Sequence, residues 1–326
     1  MTAAAGERVG GRAGERVGEV VIGVDGGGTT TDVVVADLAG DVIASVRAGG
    51  SNHESIGLEA VAEVLSVAVG EALTAAGCRP ADVAAAVYGL AGVDWPSDVD
   101  RVGAALSRTE LDGPRLVVND SLVALRAGCT QPWGIVSSVG TGSVTAGVGR
   151  SGQWFRTMAI GFGEPSGSGT IVTEALHAIA AEHHGSGEPT VLTRRFVAAL
   201  GHPDALSMFE AITRGDVPTL RSLAPVVTEA ADAGDEVARR LVTEVAMRHV
   251  EAALAVARRV DLADDEFELV AAGSVHAAGG VFSAVFADGV ARTIPGATVV
   301  ALSRPAAIGA VRIALELAGA PPTHAP

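Results

Sequence analysis

"VIGVDGGGTTTDVVVADLAGDVIA", residues 21–44, decides how the chain is read. Three consecutive glycines, Gly26 to Gly28, stand between two valine-rich runs, flanked by Asp25 and by Thr29, Thr30 and Thr31. A dinucleotide-binding turn carries its glycines at a strand-to-helix junction, with helical periodicity after it. Here Val33, Val34 and Val35 continue as strand. The stretch therefore reads as strand, turn, strand, with strands at 20–24 and 32–37 and a third at 41–46. Without a Cβ in the way, the backbone of Gly27 and Gly28 is open to a ligand, and turn amides beside the Thr29 and Thr30 hydroxyls suit an anion.

A similar pattern starts again at "GIVSSVGTGSVTAGVGRSGQWF" (134–155), with Val139-Gly140-Thr141-Gly142-Ser143 in the place of the first glycine turn. Helical periodicity at 56–76, 97–107 and 121–128 is interleaved with strands at 83–88 and 116–118. After the second turn come helices at 168–184, 190–200, 204–213, 219–232 and 235–259. Strand 268–272, helix 276–291, strand 297–301 and helix 305–318 follow. A weak repeat of this kind predicts two related α/β domains with a cleft between them.

Composition narrows the chemistry. The chain has 326 residues and a formal charge of -15, which argues against nucleic acid and anionic membranes as partners. The uncharged run 269–287 is interrupted by Gly273, Ser274, His276, Gly279 and Gly280, as in a buried αβ unit rather than a membrane span. The first 18 residues repeat "GERVG" and hold no apolar core, so residues 1–18 and 319–326 are expected as tails and the protein as cytoplasmic. Cys78 and Cys129 give neither a metal spacing nor a disulfide framework. All of the basic residues are arginine. The absence of lysine excludes a P-loop lysine, a Schiff base and a lysine general base, leaving amides, hydroxyls, arginine or a metal for phosphate. Asp25, at the end of the first strand, would repel phosphate unless a cation lay between them, so it is the candidate Mg²⁺ residue; a turn cap is the alternative.

"GVDGGGTTTDVVVAD", "GGSNHESIG" (49–57), "LVVNDSLVAL" (116–125), "SSVGTGS" (137–143) and "VAAGSV" (270–275) occur in this order. With these motifs, residues 20 to 318 resemble the N-acetylglucosamine kinases of the sugar kinase/Hsp70/actin superfamily. The resemblance implies two ribonuclease-H-like domains with an interdomain ATP/sugar cleft, divided at 119/120, with helix 305–318 returning to the first. It implies ATP and Mg²⁺ as cofactors and transfer of the γ-phosphate to the 6-hydroxyl of N-acetylglucosamine or a related amino sugar; a homodimer is compatible with it. Thr29 and Thr141 would contact ATP phosphates within turns formed by Gly27, Gly28, Thr30 and Gly142. Ala231, Gly273 and Ser274 would lie along the nucleoside. Asn52, with His53 contacting or orienting it, would hold the sugar, and Ser143 would lie near its N-acetyl or ring hydroxyls.

"VVND" ends a strand with a carboxylate at the point where α/β sites usually lie. A sugar hydroxyl is a weak nucleophile, and the resemblance gives Asp120 the role of orienting it and accepting its proton. Helix capping is the alternative for Asp120 and for Asn52; Asn119 is expected to fix the loop. The pattern breaks at "AIGFGEPSGSG" (159–169), where the family's sugar-contacting aspartate becomes Pro165. Glu164, one residue away, is the candidate replacement. Two other readings stay open: a superfamily ATPase of the dehydratase-activating type, whose cysteine-held iron–sulfur cluster Cys78 and Cys129 do not match, and a non-catalytic sugar or nucleotide sensor.

Overall fold

The computed structural model describes residues 7–8, 18–107, 111–160, 165, 167–217 and 219–319. These fall into two compact units, one of Met1–Pro132 with Leu302–Pro326 and one of Trp133–Ala301.

The first unit opens with β1 (Glu7–Arg8), β2 (Val20–Gly26), β3 (Thr30–Asp37) and β4 (Val42–Gly49). It continues through α1 (His53–Ile56), α2 (Leu58–Ala76), β5 (Val83–Leu90), α3 (Pro96–Leu106), β6 (Arg115–Asn119) and α4 (Asp120–Gly128). The second unit holds β7 (Gly134–Val139), β8 (Ser143–Val148), β9 (Trp154–Arg156), α5 (Ser168–His184), α6 (Val191–Leu200), α7 (Ala205–Arg214), α8 (Ala224–Asp232) and α9 (Glu236–Arg259). It ends with β10 (Phe267–Ala272), α10 (Ser274–Ala277), α11 (Gly280–Thr293) and β11 (Ala297–Ala301), and α12 (Ala306–Leu317) returns to the first unit.

The sheet orders are β1-β4-β3-β2-β5-β6 and β11-β10-β7-β8-β9. In the first, β2, β3 and β4 form an antiparallel meander while β5 and β6 run parallel to β2. In the second, β7, β8 and β9 form the meander and β10 and β11 run parallel to β7. With β1 set aside, both sheets read third, second, first, fourth and fifth strand in chain order. This is the ribonuclease-H-like arrangement, present twice, as the repeat predicts.

Both faces of the first sheet are covered, which is why its strands read as valine runs rather than alternating apolar and polar residues. Val20, Ile22, Val24, Val33 and Val35 share a core with Leu65, Val69 and Leu73 of α2. Val21, Val34 and Ala36 of the same strands share one with Val123 of α4 and with Ala307, Ala310 and Val311 of α12.

Four expectations are corrected here. The division falls at 132/133, not 119/120, because α4 packs on α12 through Val123, Ala310 and Val311. Within the expected tail, Glu7–Arg8 pairs antiparallel with β4, while 1–6, 9–17 and 320–326 lie outside the described residues. The helix expected at 56–76 is α2, which starts at Leu58 after Gly57 (φ 82°) with Ile56 ending α1, and the one expected at 276–291 is broken at Gly279 (φ 72°). Among the described residues no helix is long and apolar enough to cross a membrane.

Missing side chains set the closest approaches in this unit. A methyl group on Gly309 would lie 1.9 Å from the Val123 carbonyl oxygen and 2.6 Å from the Ala127 nitrogen. One on Gly23 would lie 2.5 Å from the Ala307 carbonyl oxygen. Gly309→Ala must therefore push α12 off α4, and equilibrium urea unfolding is expected to show a loss of about 3 kcal/mol or more. Gly70→Ala, in mid α2 with nothing within 4 Å of the new methyl, is expected to stabilise by about 0.5–1 kcal/mol.

Candidate active site

The turn between β2 and β3 is built so that its carbonyl oxygens face the protein. The Gly26 carbonyl accepts from Ala91 N at 2.8 Å and the Gly27 carbonyl from Ser51 N at 2.9 Å, while Gly27 N donates to Thr30 O at 2.8 Å. Gly50 packs on Gly28, where a methyl would lie 2.3 Å from the Gly28 oxygen. Gly28, Thr29 and Thr30 are exposed. Thr31 is the inward member of the threonine run, its hydroxyl donating to Gly49 O at 2.7 Å and lying 2.8 Å from the Ser51 hydroxyl, which can donate to it.

The turn between β7 and β8 repeats the device. Gly140 O accepts from Ser168 N at 2.9 Å, Thr141 O from Ser168 Oγ at 3.3 Å, and Gly142 O from Gly140 N at 2.9 Å. Gly167 and Gly273, with φ of 60° and 89°, box it in. A methyl on Gly167 would lie 2.3 Å from Gly142 O, and one on Gly273 would lie 2.4 Å from Val139 O. A methyl on Gly28 or Gly142 would itself meet nothing within 4 Å. Thr141, Gly142, Gly273 and Ser274 are exposed. With the carbonyls consumed internally, each turn can offer an anion its amides and threonine hydroxyls, the polarity a phosphate requires.

Asp25 and Asp120 come together in the first unit. Burial and then the charge of Asp120, with a smaller part from Asp32, push the Asp25 carboxyl up to about 7. Asp32 lies opposite Asp25 in the β2–β3 register and is paired with Arg47 at 2.7 Å. Asp120 opens α4, but Asn119 is the cap: its Oδ1 accepts from Ser121 N at 3.0 Å. The capping alternative for Asp120 is thereby removed. A buried carboxylate whose proton affinity is raised by a neighbouring carboxylate fits a divalent cation. Among the described residues no three His, Cys, Asp or Glu side chains converge on a metal position. A cation at Asp25 would thus complete its shell from phosphate and water, as Mg²⁺ commonly does.

Asn52 caps α1, its Oδ1 accepting from Glu54 N at 2.8 Å. Its side chain lies against Gly92, where a methyl would come within 2.4 Å of Oδ1. His53 is turned inward, its side chain only 7% exposed and its Nε2 3.5 Å from Asp98 Oδ1. Of its two expected roles, loop orientation fits and direct sugar contact does not. Ser143 is buried and donates to the Pro165 carbonyl. Ala231 is fully buried in the core of the second unit, so its side chain has no surface to give a nucleoside. Exposed Asp232, next to it, instead accepts from Val281 N at 2.7 Å at the start of α11. Glu164 lies outside the described residues. His249 and His276 are buried against Phe282, and burial lowers them to about 3 and about 4, so both stay neutral.

Asp98 was not legible as a site residue. The signal was present in "DWPSD" (94–98), where an aspartate two residues after a helix-starting proline folds back on the helix entry. Asp98 Oδ2 accepts from Asp94 N at 3.2 Å and from Trp95 N at 3.0 Å.

Residues 22–314 match the BadF/BadG/BcrA/BcrD ATPase family. The N-acetylmuramic acid/N-acetylglucosamine kinase of Clostridium acetobutylicum is 29% identical over 262 residues, covering 78% of this chain and 85% of that protein. The N-acetyl-D-glucosamine kinase of Dictyostelium discoideum is 26% identical over 315 residues, covering 91% of this chain and 98% of its own. A solved structure of a candidate N-acetylglucosamine kinase from Chromobacterium violaceum shares the fold with a TM-score of 0.70 at 24% identity, covering 92% of this chain and 100% of that one. A ROK family glucokinase from Streptomyces griseus, solved with glucose and AMPPNP, shares it with a TM-score of 0.56 at 19% identity, covering 91% and 99%.

The Asp25 environment gives a pH-dependent stability. A carboxyl raised on folding stabilises fully below its unfolded value of 3.8, and that contribution is lost as pH climbs through about 7. Asp25→Asn, uncharged throughout, is expected to unfold at higher temperature than the parent at pH 8 in the absence of divalent cations. The gain should be on the order of 1–2 kcal/mol and should shrink toward pH 5. Thermal unfolding followed by circular dichroism across that range checks it.

Proposed function

The chain belongs to the BadF/BadG/BcrA/BcrD ATPase family, and from that premise we propose that it is an ATP-dependent kinase of N-acetylated amino sugars. The observation that carries the reading is the placement of Asp120. It stands at the carboxyl end of β6, close enough to Asp25 to shift its titration, in the unit that also holds the first glycine turn. The names of the two relatives, both N-acetylglucosamine kinases, support the same substrate class.

In this reading Asp120 orients the 6-hydroxyl of the sugar and accepts its proton as the phosphoryl group transfers. In each unit taken by itself, the amides and hydroxyls of the glycine turn, 27–30 in the first and 140–142 in the second, have the polarity that phosphate oxygens and growing negative charge require. Mg²⁺, when bound at Asp25, supplies the positive charge that a lysine-free site lacks. Gly273 and Ser274 border the nucleoside, and Asn52 holds the sugar with its amide. The Pro165 carbonyl is tied to Ser143 at the position where the resemblance puts a sugar-contacting aspartate.

The test is ADP release with ATP and Mg²⁺ against N-acetylglucosamine, N-acetylmannosamine, N-acetylmuramic acid, glucosamine and glucose, with Asp120→Asn beside each. The expected outcome is turnover of an N-acetylated sugar that falls at least about 100-fold in the variant. Sugar-independent ADP release by both proteins would defeat the proposal.

A further inference from the structure

Three loops of the first unit meet around a short polar chain that the mechanism above leaves unused. His53, next to the sugar-facing Asn52, presents Nε2 to Asp98 Oδ1 at 3.5 Å. Asp98 is 4% exposed; Arg101, one turn along α3, also lies 3.6 Å from Asp98 Oδ1, and the other carboxylate oxygen accepts from the backbone of Asp94 and Trp95 at 3.2 and 3.0 Å. Asp94 Oδ1 in turn accepts from Asn119 Nδ2 at 3.0 Å, and the same amide donates to Val93 O at 3.2 Å. Asn119 Oδ1 then accepts from Ser121 N at 3.0 Å, across Asp120. Gly92 (φ 81°) seats Asn52 at the other edge of the loop.

Resting on the kinase reading, we propose that Asp98 is a positioning residue that registers the sugar-holding loop at Asn52–His53 against the base-bearing turn at Asn119–Asp120. The argument is one of charge and connectivity. A nearly buried carboxylate is costly to keep unless it is hydrogen-bonded. A cap for α3 accounts for the two backbone bonds alone. It does not account for the imidazole drawn in from a different loop, nor for the Asp94 side chain reaching to Asn119. Asp98 fixes the backbone of Asp94 and Trp95, Asp94 fixes Asn119, and Asn119 fixes the first turn of α4. His53 ties the same carboxylate to the sugar side. Acceptor hydroxyl and proton acceptor are thereby held at one separation, which is what in-line transfer requires.

Two variants of the full chain separate this from a plain cap. Asp98→Asn keeps the volume but presents an amide to the imidazole; His53→Phe removes the other end and leaves α3 capped. Both are expected to lower kcat/KM for N-acetylglucosamine by between about 10- and 100-fold, with the KM for ATP within about twofold of the parent. Hydrogen exchange on the ligand-free Asp98→Asn chain gives a readout without turnover. The amides of Glu54 and Ser121 should lose protection together, while those of β2 and β3 keep theirs. Faster exchange confined to Asp94 and Trp95, or parental sugar kinetics in His53→Phe, would overturn the proposal. A parent chain that turns over no sugar would instead count against the kinase reading, with the exchange result still deciding whether the two loops are coupled.

Discussion

The contact of Gly309 with the Val123 carbonyl is the constraint on which the first unit depends. With no side chain between them, α12 and α4 touch backbone to backbone, and Gly23 lets α12 lie equally close to β2. Arg312 fastens the far end of α4, donating to the Arg126 and Cys129 carbonyls at 2.8 and 3.0 Å, and Arg126 pairs with Glu316 at 2.5 Å. The helix that opens with Asp120 is thus held at both ends by the last helix of the chain. Asp25 lies near the end of β2, two residues beyond Gly23. Asp120 and the glycine turn after Asp25, contributed by distant parts of the sequence, keep a fixed relation because one glycine-faced helix packs against both supports.

The repeated sheet order explains why the two glycine turns are equivalent. In each unit the turn joins the first and second strands, and the first strand is central, paired antiparallel on one side and parallel on the other. The residues that satisfy the turn carbonyls differ: Ser51 and Ala91 in one unit, Ser168 in the other. The polarity that results is the same. Both turns hide their oxygens and leave exposed threonine at the tip, so the feature shared by the halves is electrostatic rather than a matter of identical side chains.

Much of this was legible in the sequence because it is local. Glycine and threonine runs between valine strands specify a turn whatever surrounds them, and the parallel strands announce themselves by length and burial. What was not legible depends on partners far along the chain. Ala231 sits in a recognisable motif, but which face of α8 is buried is set by α5, α9 and α11. His53 looked sugar-facing because its partner Asp98 belongs to α3, some 45 residues along the chain. The place of α4 was misread because its anchor, Arg312, lies 186 residues from Arg126. Gly279 broke a helix whose apolar periodicity runs on through it, since a residue with positive φ interrupts the backbone without disturbing the pattern of side chains.

The acidic, lysine-free composition gives the site its internal logic. A nucleoside triphosphate brings negative charge to a place that already holds Asp25 and Asp120. A P-loop enzyme meets that charge with a lysine. In the proposed kinase reading the amides of the first turn would supply partial charges only, beside the Asp25–Asp120 pair. Without a cation the pair relieves itself by keeping a proton on Asp25 up to about pH 7. In the same proposed reading, Asp25 would hold a divalent cation, which would supply the positive charge that a lysine gives elsewhere. The proton that Asp25 holds and a cation at the same carboxylate would compete, so in the proposed kinase reading cation binding at Asp25 and loss of its proton are linked. The acidic pair is then the place where a metal would offset the charge of ATP.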